Sequence, residues 1–351
     1  MIPKLNYISE FSKSSRDAHV VSDDFYYISL LSLHVSSLNF YGTRFMRSAL
    51  TNRFENVNLF DLSFISLLKT ARRRDKYVFN GFSEKRVLFF ALAMMAFNPR
   101  ISLLATNNFS VERIKKYRAY FWIIYRFIDR FLEVIVVNTE IEREIISENF
   151  PFLRSKVCCK RHHMLSSRAG SDVPERKPQI TFMGPPKNGK PIAPFLNFIC
   201  EDAAEFFTYF LTGVAPSDVS ESDWLFLRGK RNVRVISEFL SSEEVDQLLC
   251  SSAYCFLTHD KFFEGKLSGN LCDAIATSTP VITHDIRPAS DYFKQFGALG
   301  VVLGSDAKSN FAYVLEHYQT SYAKTLNNLS SCENFFSSEN CGSDFIRAIF
   351  K

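Results

Sequence analysis

Short runs of β-branched and aromatic residues alternate along this chain with amphipathic stretches long enough for helices, and that alternation constrains the fold more than any other feature. Strands separated by helix-length crossovers pair in parallel, so the pattern predicts an α/β protein whose sheets are covered by helices. In the first half the spacing predicts strands at Leu5–Ile8, Val57–Phe60, Tyr77–Phe79, Ile101–Ala105 and Val134–Val137, with a long helix over Val111–Phe131. In the second half it predicts strands at Ile180–Met183, Phe206–Leu211, Val233–Ile236, Tyr254–Leu257, Pro280–Thr283 and Val301–Leu303. A length of 351 residues suits two cores of ordinary size. Between them HMLSSRAGSDVPERK, His163–Lys177, is rich in Ser, Gly, Pro and charge and lacks apolar periodicity, which is the composition of a linker. The expected organisation is a first domain over residues 1–163, a linker over 164–177, a second domain over 178–325 and a C-terminal segment over 326–351. The apolar end of that segment, Phe345–Phe350, is expected to pack back on the first domain.

The net charge of +5 hides a division of the chain. Residues 1–170 hold 26 Lys/Arg against 15 Asp/Glu, a balance of +11, and the remainder holds 16 against 22, a balance of −6. A basic half suits a polyanion or an anionic membrane surface. The start MIPKLNYISEFSKSSR has no apolar stretch behind a basic one, so no secretory signal is expected and a cytoplasmic location is. The longest apolar run, Val87–Phe97, is too short to span a bilayer, and Ala119–Val137 is broken by Arg126, Asp129, Arg130 and Glu133. The eight cysteines form no C-x-x-C and fall mostly in apolar segments, which predicts reduced thiols and no metal site.

The stretch with most chemistry is FFEGKLSGNLCDAIATSTPVIT, Phe262–Thr283. It reads as an acidic residue, a small-residue loop, a helix opening near Ser268, and a buried strand. Backbone N–H groups of Ser268, Gly269 and Asn270 at a helix N-terminus suit a phosphate, and Asp273, one turn further on, suits sugar hydroxyls. The same residues also make an ordinary N-capped helix with a first-turn acid. The stretch resembles the donor-site signature of retaining GT-B glycosyltransferases, in which a Glu-Gly, a small-residue loop, a second acid and a Thr-Pro-Val run follow in order. Glu264-Gly265, Asp273-Ala274-Ile275-Ala276 and Ser278-Thr279-Pro280-Val281 carry the match. Eight residues separate Glu264 from Asp273, where the family has seven between two glutamates.

Upstream, ITFMGPPKNGK, Ile180–Lys190, resembles the family's first donor-domain strand, with Gly184 ending the strand and Lys190 six residues on. A fixed cation there stabilises a diphosphate leaving group without a metal ion, although a solvated loop lysine fits the same sequence. Pro185 replaces the family's arginine, and Lys187 is the candidate to supply that charge. The turn Ser237-Glu238-Phe239 occupies the family's base-binding position, where Phe239 either stacks on a nucleotide base or simply starts a helix. In the basic half, Asn80 and the pair Asn107-Asn108 stand at predicted strand ends where relatives carry a histidine, and an amide binds hydroxyls but takes no proton. The family's glycine-rich turn after the first strand is replaced by Phe11–Arg16.

The resemblance implies a GT-B fold of two Rossmann-like β/α/β domains facing a central cleft, acceptor-binding at the N-terminus and donor-binding at the C-terminus. It implies a hexosyltransferase-type enzyme that moves a sugar from a UDP- or, second to it, a GDP-sugar to a glycan or lipid-linked saccharide, with retention, in polysaccharide or glycoconjugate biosynthesis. Lys190, Lys187, Gly184 and the Ser268–Asn270 amides would hold the diphosphate, Asp273 the ribose, and Glu264 would stand by the donor sugar. No cofactor and no metal are expected. The alternatives are an inactive nucleotide-sugar-binding protein and a nucleotide-sugar 2-epimerase. Nucleic-acid binding has no supporting motif. RIKKYRAYFWIIYRFIDR, Arg113–Arg130, interleaves basic and aromatic residues, and Arg72-Arg73-Arg74 add charge. The stretch suits peripheral docking on the anionic cytoplasmic face of an inner membrane, or equally a core helix with a solvated basic edge. Arg161-His162-His163 marks either a cleft edge or a plain hinge.

Overall fold

The computed structural model describes residues 4–9, 18–105, 109, 111–161, 175–187, 189–238 and 240–350. The chain divides into two compact units, Met1–Arg161 with Cys341–Lys351, and His162–Asn340. Among the described residues each is built on an all-parallel sheet, one of seven strands and one of six.

The first sheet contains β1 (Leu5–Ser9), β2 (Leu38–Gly42), β3 (Val57–Asp61), β4 (Lys76–Asn80), β5 (Arg100–Ala105), β6 (Leu132–Val137) and β7 (Val157–Cys159), in the order β3-β2-β1-β4-β5-β6-β7. Its helices are α1 (Ala18–Ser32), α2 (Arg44–Leu50), α3 (Phe64–Thr70), α4 (Glu84–Ala93), α5 (Val111–Ile128) and α6 (Glu140–Asn149). Neighbouring strand residues feed opposite faces, as a pleat requires. Tyr77, Phe79, Ile101 and Leu103 enter one core, while Tyr7, Val78, Leu104 and Val136 enter the other. Apolar side chains on both faces are the mark of a parallel sheet covered on both sides. Ser63, Ser83 and Thr139 start α3, α4 and α6 by accepting the free N–H groups of the first turn.

The second sheet contains β8 (Lys177–Met183), β9 (Thr208–Thr212), β10 (Val233–Ile236), β11 (Ser252–Leu257), β12 (Val281–His284) and β13 (Gly300–Leu303), in the order β10-β9-β8-β11-β12-β13. Its helices are α7 (Ala193–Glu201), α8 (Glu221–Gly229), α9 (Ser242–Ser251), α10 (Gly269–Ala276), α11 (Ala289–Phe296), α12 (Ala307–Thr320) and α13 (Tyr322–Phe335). Arg176, just ahead of β8, ties this unit together. Its guanidinium donates to the carbonyls of Leu249, Ser252, Thr277 and Ser278 at 2.8–3.2 Å, which satisfies the C-terminal ends of α9 and α10.

The last helix, α14 (Ser338–Phe350), lies from Cys341 onward in the first unit. There Phe345, Ala348 and Ile349 join the core of Leu5 and Tyr7, with Phe345 at 4.6 Å from Tyr27, and Asp344 pairs with Arg161 at 2.6 Å. All eight cysteines are free thiols. No helix among the described residues is long and apolar enough to cross a membrane.

Candidate active site

In an open parallel sheet with this strand order, crossovers leave in opposite directions where the order reverses, and a crevice opens at the C-terminal ends of the strands. In the second unit that point lies between β8 and β11. The chain turns at Gly184, whose φ of +76° disfavours any side chain, and Lys187 and Lys190 then pair as a short antiparallel bridge. Gly189, at φ +86°, lies tight against the turn that follows β11, since a Cβ there would stand 2.7 Å from the Phe262 ring. Asp260 N–H, bonded to the Gly189 carbonyl at 3.1 Å, holds the two loops together.

This loop buries Lys190 to 5% exposure. Its ammonium donates to the carbonyl of Met183, the last residue of β8, and lies 4.8 Å from the Phe182 ring centre. Asn270 Nδ2 donates to the same carbonyl at 2.8 Å. Lys190 and the first turn of α10 therefore converge on one backbone oxygen. Burial, and then the field of Lys187, lower the Lys190 ammonium to about 8. Ser268 caps α10 by accepting from Leu271 N–H, no acid stands in the first turn, and Gly269 is exposed with open space where a Cβ would be. The positive end of that helix is open to an anion. Asp273 is half-buried one turn further along, where its field adds to burial in pushing the Cys255 thiol up to about 12. Glu264 closes the turn Lys261–Phe263 through its N–H to the Lys261 carbonyl at 3.2 Å, and its carboxylate has no hydrogen-bond partner among the described residues.

Two histidines that the spacing rules did not single out belong to this site. His259 follows β11, is 5% exposed, and stacks on Phe263 at 4.1 Å with no hydrogen bond among the described residues. Burial, followed by the fields of Lys190, Lys187 and His284, lowers its imidazole to about 3, so it is neutral at physiological pH. His284, the last residue of β12, is lowered chiefly by burial. A lone histidine has no motif spacing; the available signal was its position at the end of a predicted strand, before the Glu-Gly loop.

The structure thus brings Gly184, Lys187, Lys190, Ser268, Gly269, Asn270 and Asp273 to one switch point, with Glu264 in the adjoining loop. Asn80 belongs to the other unit, as the last residue of β4. Phe239, Asn107, Asn108, Phe11–Arg16, His162 and His163 lie outside the described residues. A pocket of about 450 Å³ opens at the ends of β12 and β13 between α7 and α12, lined by Asn197, Phe198, His284, Asp285 and Ser305, and none of the sequence-predicted site residues lines it. Among the described residues no group of three or more His, Cys, Asp or Glu is placed to hold a metal ion.

No family model and no curated protein matches the chain. Solved structures do. HepE of Anabaena in complex with UDP-glucose superposes with a TM-score of 0.70 over 99% of each chain at 11% identity. A glycosyltransferase from Rickettsia africae ESF-5 gives 0.67 over 99% of this chain and 98% of that one, also at 11% identity. UDP-forming α,α-trehalose-phosphate synthase from Burkholderia xenovorans gives 0.67 over 100% and 99%, at 10% identity. These likenesses, with two parallel sheets of matching order, define the architecture as the GT-B glycosyltransferase fold.

Proposed function

We propose that the chain is a glycosyltransferase that moves a hexosyl group from a nucleotide-sugar, a UDP-sugar before a GDP-sugar, to a saccharide or lipid-linked saccharide. The observation that carries this reading is the convergence of Lys190 and Asn270 on the Met183 carbonyl beside the open N-terminus of α10. An ammonium held partly short of its charge by burial gains most from an arriving anion, and the helix end adds backbone donors. Similarity to proteins solved with UDP and UDP-glucose supports a uridine nucleotide.

In this reading Lys190, Lys187 and the Ser268–Asn270 amides stabilise the negative charge that develops on the leaving diphosphate, the role a metal ion or cofactor plays elsewhere. Asp273 takes the ribose, Phe239 the base, and Glu264, whose carboxylate has no partner among the described residues, stands by the transferred sugar, whose configuration is retained. Asn80, Asn107 and Asn108 bind hydroxyls on the acceptor side. A panel of nucleotide-sugars read by thermal shift tests the proposal. A UDP-sugar should raise the melting temperature and Lys190→Ala should abolish the rise; no response to any nucleotide would sink it.

We further propose that the basic unit rests on an anionic membrane on the cytoplasmic side, in polysaccharide or glycoconjugate assembly. On α5, Ile114, Phe121, Ile124, Tyr125 and Ile128 enter the core, while Trp122 and Ile123 are 48% and 64% exposed beside the exposed Lys115, Lys116, Arg118 and Arg126. Aromatic and basic side chains on one outer edge suit the headgroup layer. Co-sedimentation with phosphatidylglycerol vesicles should fall at least tenfold on charge reversal at Lys115, Lys116 and Arg118, and unchanged binding overturns this placement.

A further inference from the structure

The switch point of the first sheet, between β1 and β4, has a polar network of its own. Asp24 of α1 is fully buried, and donors from two strands and their ends converge on its carboxylate, three of them from well-placed side chains. These are Tyr7 Oη at 2.8 Å, Ser9 Oγ at 2.5 Å and Asn80 Nδ2 at 2.9 Å. Ser9 and Asn80 are register partners and the final residues of their strands, so the network lies at the C-terminal edge of the sheet, where open α/β sheets bind ligands. Burial and the Asp24 carboxylate hold the Tyr7 phenol well above its ordinary range, which keeps it a donor.

The carboxylate fixes how Asn80 is oriented. An amide turned the other way would set its oxygen against a negative charge, so Nδ2 faces Asp24 and Oδ1 faces away. Asn80 is 1% exposed, yet among the described residues Oδ1 has no hydrogen-bond partner. A buried acceptor left unmade costs about 1–3 kcal/mol, which a ligand's donor would offset. Phosphate oxygens do not fit that role, because they accept and would be repelled by the carboxylate behind the amide. A hydroxyl donates and is neutral.

We propose that Asp24 is a positioning residue that locks the Asn80 amide so that Oδ1 accepts a hydrogen bond from a hydroxyl of a saccharide substrate. This rests on the reading of the chain as a glycosyltransferase. The hydroxyl belongs either to the transferred sugar or to the acceptor sugar, and the test separates them.

Titration calorimetry on the full chain would compare UDP, UDP-glucose, and glucose added to the UDP complex, for the unmodified protein, Asn80→Ala and Asp24→Asn. In the second variant the Asn80 amide is free to turn over, so that Oδ1 accepts from the new amide N–H and is no longer available. Both variants should bind UDP as the unmodified protein does. Both should lose about tenfold, the worth of one hydrogen bond, in a sugar-dependent step. Loss confined to the advantage of UDP-glucose over UDP assigns the hydroxyl to the transferred sugar, and loss confined to glucose binding assigns it to the acceptor. If UDP binds and neither step changes in Asn80→Ala, the inference is wrong. If the unmodified protein does not bind UDP, the glycosyltransferase reading fails and takes this inference with it. Melting temperature separates a folding defect from the predicted effect, since a merely structural role would lower stability and leave the sugar-dependent steps intact.

Discussion

The two sheets share a strand order and each reverses it once, but their switch points differ in the sign of what they hold. Between β1 and β4, Tyr7, Ser9 and Asn80 donate to the buried Asp24 carboxylate. Between β8 and β11, Lys190 meets Asn270 of α10 on the Met183 carbonyl, and the fields of Lys190 and Lys187 help keep His259 neutral. Overall charge runs the other way, +11 in residues 1–170 and −6 beyond them. Topology places a crevice at the same point in both units, and one or two buried groups set the charge that lines it. A unit's net charge describes its outer surface and says little about the few buried charges at its binding edge.

The largest effect that would break this comparison is in the first unit. Asp24→Ala leaves the Tyr7 hydroxyl, the Ser9 hydroxyl and Asn80 Nδ2 without their acceptor, so stability should fall by about 3–5 kcal/mol, read from the urea midpoint. A variant as stable as the parent would mean that the network does not organise this edge.

The second unit should respond in the opposite direction. Lys190 is lowered from lysine's usual 10.5 to about 8, so the folded state holds a reluctant charge at pH 7. That penalty is fully present below pH 8 and fades as pH rises towards 10.5, where the unfolded chain also loses its proton. Lys190→Met should therefore stabilise the ligand-free protein at pH 7, by on the order of 3 kcal/mol, with the advantage gone by about pH 10.5. Asn270 still donates to the Met183 carbonyl in that variant. Affinity for UDP-glucose should nevertheless drop about a hundredfold, the loss of a desolvated charge contact. A variant that is destabilised and still binds would contradict the cationic reading of the site.

Much of this was legible in the sequence. All six strands of the second sheet coincide with predicted runs, because buried parallel strands are short, apolar and bounded by turn residues. The glycine, the lysine and the Ser-Gly-Asn loop were visible as spaced motifs, and the structure places them together. In the first sheet β2, Leu-Asn-Phe-Tyr-Gly, and β7, Val-Cys-Cys, were not anticipated. The first carries turn-forming Asn and Gly, and the second is a three-residue edge strand too short to show a period. Residues that act through burial left no pattern. Asp24 looks like any helix acid, Arg176 like linker charge, and His259 like a strand-end residue. Their roles depend on contacts across 15 to 102 positions of sequence, or on desolvation, and neither leaves a trace in local spacing.

His259 offers the finest test of the comparison. Its imidazole is held at about 3 in the folded state against an ordinary 6.5, so below pH 6.5 the unfolded chain takes up a proton that the folded chain refuses. Stability from this group is complete above pH 6.5 and is lost as pH falls towards 3. His259→Asn cannot titrate, so it should keep about 2 kcal/mol at pH 5 that the parent loses, measured as the difference between urea midpoints at pH 7 and pH 5. An anion bound beside Lys190 would ease the fields that depress the imidazole. Saturating pyrophosphate should therefore shrink the acid loss in the parent and leave His259→Asn unchanged. Equal acid sensitivity in both proteins would mean that neither burial nor the neighbouring cations depress the His259 imidazole, and the contrast in sign would then rest on Lys190 and Lys187.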